Sequence, residues 1–103
     1  MKVLINNKEL IKLYETGKSL KLRLPDNVID KFFATMQKIE SASDIYDLWR
    51  NPSLKFEKMK GSQNSYSVRL TGKYRLELDI DWEDDSKRTG AFLINNISLH
   101  YGD

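Results

Sequence analysis

Between residues 55 and 75 the chain carries Lys55, Lys58, Lys60, Arg69, Lys73 and Arg75 against a single acid, Glu57. From residue 76 to residue 85 the balance inverts: Glu77, Asp79, Asp81, Glu83, Asp84 and Asp85 stand without a base. Charge sorted this way is either a solvated sheet face or one end of a polyanion site, since Lys and Arg are the side chains that hold phosphate oxygens. The net charge of +2 does not decide between them; the distribution must. His100 is the one histidine and the one side chain whose ordinary titration range lies near neutrality. It stands beside Tyr101, a second group able to move a proton or stack on a base.

Composition narrows the remaining chemistry. There is no cysteine, which removes disulfides and thiolate metal sites, and a single histidine makes a histidine zinc site implausible. No metal and no cofactor are therefore expected, and a reducing cytoplasm fits. No apolar run reaches the length of a membrane span, and "MKVLINNKELIKLY" turns polar too early for a signal peptide. With 103 residues, residues 1–103 read as one domain with a single core.

The elements that must position these groups follow from periodicity. "NNKELIKLYETGKS" reads as a short helix over about residues 8–16, capped by Asn7 and ended by Gly17. "LPDNVIDKFFATMQKIESA" reads as a longer one over about 26–40, with Pro25 at its first position and an apolar stripe from Val28 to Ile39. "SASDIYDLW" gives a third near 43–49, capped by Ser41 or Ser43 and stopped by Asn51-Pro52. Val3–Ile5 offers a brief N-terminal strand. Beyond Pro52 the period falls to two, placing antiparallel strands near 54–60, 66–71, 73–82 and 91–100 with a turn at Thr71-Gly72. Helices before strands make an α+β fold: N-terminal helices packed on one face of a small antiparallel sheet. Arg69 and Arg75 share the polar phase of adjacent strands, so both are expected on the open face, with Arg75 exposed. Lys73 falls by the turn, and Lys58 and Lys60 flank Gly61.

In this order the pieces "LPDNVIDKF", "IESASDIYDLW", "LKFEKMKG", "YSVRLTGKYRLEL" and "ISLHY" resemble the HigB-type killer toxins of the RelE/ParE superfamily, over roughly residues 20 to 101. The resemblance implies a RelE-like, microbial-RNase-like fold whose open sheet face binds RNA. It also implies a bacterial, cytoplasmic toxin of a type II toxin–antitoxin module, a ribosome-dependent endoribonuclease that cleaves mRNA and inhibits translation. Its implied partners are the ribosome, mRNA and a cognate HigA-like helix-turn-helix antitoxin, through which the complex binds operator DNA. The family's motifs place its lysine on Lys60 and its arginines on Arg75 and Arg69. Two positions depart from the pattern: Glu57 stands where relatives have a histidine, and the terminal His100-Tyr101 pair is in exchanged order. ParE-like members that bind DNA gyrase and cleave no RNA, and decayed toxins that only bind the antitoxin, remain alternatives, because fold alone does not set activity.

The implied reaction suits these residues. RNA brings its own nucleophile, the 2′-hydroxyl, so the protein must align it, move two protons and stabilise a phosphorane-like charge. Arg75 and Lys60 are the candidates for the charge. Lys58, Arg69 and Lys73 are placed to track the RNA backbone. His100, Tyr101 and, as a base, Glu57 are the candidates for proton transfer.

Overall fold

A computed structural model describes residues 1–99. The chain forms β1 (Val3–Ile5), α1 (Lys8–Thr16), α2 (Asp26–Ser41), α3 (Ile45–Trp49), a 3-10 turn (Pro52–Leu54), β2 (Glu57–Lys58), β3 (Ser65–Arg69), β4 (Tyr74–Trp82) and β5 (Gly90–Leu99). The five strands make one sheet in the order β1-β5-β4-β3-β2. Every neighbouring pair is antiparallel except β1 with β5, which run parallel. The sheet is thus mixed, where alternation alone pointed to an antiparallel one. A three-residue strand carries too little pattern to declare its partner, and its pairing joins opposite ends of the chain.

The helices begin and end for local reasons. Asn7 Oδ1 accepts the Glu9 and Leu10 N–H groups, and Gly17 closes α1 in the left-handed region at φ 78°. Pro25 precedes α2 as its cap and lends its carbonyl to Val28 and Ile29. The cap of α3 is Asp44, which accepts from Tyr46 N–H, and neither Ser41 nor Ser43 fills that role. Ser41 is still inside α2, and the Ser43 N–H is taken by Asp47 Oδ2.

Leu10, Leu13, Phe32, Met36 and Ile39 of the helices meet Val68, Leu76, Leu78, Ile80, Phe92 and Ile94 of the sheet in one core. The alternate strand residues Ser67, Arg75, Glu77 and Asp79 consequently lie on the face that the helices leave uncovered. The expected strand over 54–60 shrinks to Glu57–Lys58, because Pro52 has no N–H to donate and starts a 3-10 turn instead. In β5 an extra residue, Asn95, sits opposite the Glu77–Leu78 step. This bulge resets the phase, so that Asn96 and Ser98 oppose Glu77 and Arg75 on the open face while Ile97 opposes Leu76.

Gly90 begins β5 hard against β4. A Cβ there would stand 2.5 Å from the Asp81 carbonyl oxygen and 3.0 Å from Trp82 Cα, both backbone atoms. Gly90→Ala is expected to cost about 1–3 kcal/mol through forced strand displacement, read as a lower urea midpoint at unchanged slope.

Candidate functional site

The site is built around Phe56. Its ring is buried, stacked on Tyr66 with centroids 5.1 Å apart and capped edge-on by Trp49 at 4.6 Å. With that ring anchored on the helix side, its neighbours Lys55 and Glu57 present polar groups to the opposite side of the sheet. Lys55 sits in the left-handed region at φ 42°, a costly conformation for a residue with a Cβ. From there its carbonyl accepts Arg75 Nη2–H at 2.8 Å. The Glu57 carboxylate meets the same Nη2 at 2.9 Å, and Arg75 Nε donates to Ser67 Oγ at 3.0 Å. Ser67 is in turn the register partner of both Glu57 and Glu77, which places all of them on one face.

Arg75 thus keeps its expected face but not its expected exposure: it is only 5% accessible. Polar phase was a poor guide to accessibility because the Lys55–Glu57 segment folds over the guanidinium from the sheet edge. Those contacts use three of the five N–H groups that an arginine carries; among the described residues, Nη1 has no recorded partner. The guanidinium opens on a cleft of about 400 Å³ lined by Glu57, Lys58, Met59, Lys60, Ser67, Arg75 and Glu77. Lys58 and Lys60 are exposed at its rim. Glu77 accepts from Ser98 Oγ at 3.0 Å, so this carboxylate is tied to β5.

The remaining sequence candidates divide. Arg69 is the direct cross-strand partner of Arg75 and shares its face, but its exposed side chain is not part of the cleft wall. Lys73 stands exposed in the β3–β4 turn, also away from the cleft. Glu57 is present as the ion-pair partner of Arg75, a commitment that the reading of it as a base did not include. His100 and Tyr101 lie outside the described residues. Sequence reasoning missed Ser67 and the Lys55 carbonyl. The first had a signal, a serine on the polar phase one step from two arginine positions; a backbone carbonyl has none.

Among solved structures the chain is similar to a YoeB/ParE toxin from Agrobacterium tumefaciens, with a TM-score of 0.58 over 98% of this chain and 100% of that one. The fold is similar to that of this toxin. Sequence identity to that toxin is 15%, so the likeness speaks for the arrangement of helices and strands and the cleft speaks for itself. No family model matches the sequence, and no curated protein does. The cleft sets an arginine and two lysines against two carboxylates, a composition suited to an anion with several oxygens. Among the described residues no group of acids and histidines is arranged to hold a metal, and no helix is long and apolar enough to cross a membrane.

Burial changes what removing Arg75 does. Arg75→Ala would strip Ser67 and the Lys55 carbonyl of their partner and empty space between β2 and β4. A loss of about 1–3 kcal/mol is expected, well above the ~0.5 kcal/mol typical of exposed sites. Thermal or urea unfolding measures it, and a variant as stable as the parent would contradict the buried cradle.

Proposed function

We propose that this protein is the toxin of a type II toxin–antitoxin module, a HigB-type endoribonuclease that cleaves mRNA on the ribosome without metal or cofactor and so stops translation. The observation that carries the reading is the cleft itself: Arg75 on the open sheet face, with Lys58 and Lys60 also lining the cleft, in a fold similar to a YoeB/ParE toxin. A scissile phosphate seated there would meet a guanidinium held in position beforehand, which suits charge that develops during in-line attack by the 2′-hydroxyl. Lys60 adds a second positive charge, and Lys58, Arg69 and Lys73 extend the basic surface along the RNA backbone. His100, Tyr101 and Glu57 are the groups proposed to move the protons. A HigA-like helix-turn-helix antitoxin holds the toxin inactive in the cytoplasm and carries the pair to operator DNA.

One observation favours a second reading. Arg75 is already neutralised by Glu57 and only 5% accessible, an arrangement equally suited to structural support in a ParE-like toxin that binds DNA gyrase and cuts nothing.

Purified toxin with translating ribosomes separates the two. Arg75→Lys keeps the charge but loses the planar fork, so cleavage is expected to fall by about a hundredfold or more while ribosome binding changes little. Lys73→Ala, away from the cleft, should weaken association and flatten its salt dependence without slowing the chemical step. Gyrase complexes in place of mRNA cuts, or full cleavage by Arg75→Lys, would overturn the nuclease reading.

A further inference from the structure

The three partners of Arg75 are not equivalent. Ser67 is buried within β3 and Lys55 contributes a backbone carbonyl, so both are fixed parts of the fold. Glu57 is different. Its side chain is 55% accessible where that of Arg75 is 6%, and it projects from a strand of two residues at the sheet edge. Lys58 and Lys60 line the same cleft. Its carboxylate oxygen, 2.9 Å from Nη2, occupies a position that a phosphate oxygen takes on a guanidinium.

We infer that Glu57 is a displaceable gate over Arg75, a resident anion that holds the guanidinium while the cleft is empty and swings outward when a phosphodiester oxygen takes its place. The inference rests on the reading of the cleft as a phosphodiester site given above. A guanidinium this buried is costly without an anion, so it is vacated only by exchange. Glu57 leaves at small cost because solvent already reaches it. Glu77, the other carboxylate of the cleft, stays anchored to Ser98. A phosphodiester that touches Arg75 and both lysines gains contacts the carboxylate never makes. An anion that meets Arg75 alone gains none, and Glu57 holds it off. The gate therefore selects for a phosphate carried on a polymer over free phosphate. No bond is made or broken in the exchange.

Loss of the carboxylate should then tighten binding, the reverse of what a substrate contact would give, and most for an anion that meets Arg75 alone, which removal of a negative charge from the surroundings would not give. The test uses the full chain with two probes: inorganic phosphate, and a short all-deoxy oligonucleotide, which presents phosphodiesters but no 2′-hydroxyl and so binds without being cut. Calorimetry at low salt gives affinity, and the Arg75 Nε–H signal in NMR reports the occupancy of the guanidinium. Glu57→Gln and Glu57→Ala are both expected to bind the oligonucleotide about three- to tenfold more tightly than the parent, with the Arg75 signal shifting in all three proteins. Free phosphate should gain more from either substitution than the oligonucleotide does. Equal or weaker oligonucleotide binding by the variants, a gain for the oligonucleotide as large as that for free phosphate, a gain confined to one variant, or no binding by any of the three would overturn the gate. Failure of the nuclease reading looks different: the gain appears, but the parent protein makes no mRNA cuts on translating ribosomes.

Discussion

A guanidinium taken out of water must have its N–H groups answered and its charge balanced, and in this protein that demand falls on three separate segments. Arg75 draws a hydroxyl from β3, a carbonyl from the stretch after the 3-10 turn and a carboxylate from β2. The edge of the sheet is organised by these contacts. Strand β2 has only two residues, too few to hold itself by ladder hydrogen bonds, yet it stays beside β3 because Phe56 is sunk in the core on one side while the Lys55 carbonyl takes Arg75 Nη2–H on the other. The left-handed backbone at Lys55 belongs to the same arrangement, since it aims the carbonyl that Arg75 uses.

The charge gradient along β4 acquires a spatial meaning from this arrangement. The strand starts with Arg75 in the cleft and ends with Asp79 and Asp81 toward the β4–β5 loop. Asp79 accepts from Ser65 Oγ, and Ser62 donates to that same Ser65 oxygen, so this carboxylate is hydrogen-bonded within its own face. One end of the open face is thus basic and concave and the other acidic. The Asn95 bulge completes the pattern by bringing Ser98 to the open face, where its hydroxyl donates to Glu77 and ties that carboxylate to β5.

The balance of three cations against two carboxylates in the cleft is modest for a nucleic-acid site. Affinity for a polyanion then depends on arrangement more than on total charge, as the net charge of the chain already implied. In the reaction proposed above, an Arg75 held by Ser67 and the Lys55 carbonyl would suit a short-lived charge better than tight binding of a resting one, because a preorganised donor need not rearrange as charge develops.

What the sequence determined by itself was the set of elements and their faces. Periods of 3.6 and 2 in the apolar residues placed three helices and the β3–β4 hairpin, and the shared polar phase of Arg69 and Arg75 put them together across that hairpin, as their register pairing has it. Both are local properties, written in side-chain order within a strand or a helical turn. The tertiary structure alone decided that β1 runs parallel to β5, that Asn95 forms a bulge and that the strand after Pro52 is two residues long. It also decided that Arg75 is buried. Each of these turns on which distant segment arrives alongside: β5 against β1, and the Lys55–Glu57 backbone against Arg75. Alternation tells which side of a sheet a residue faces, but only the packing of other segments over that side tells whether water reaches it.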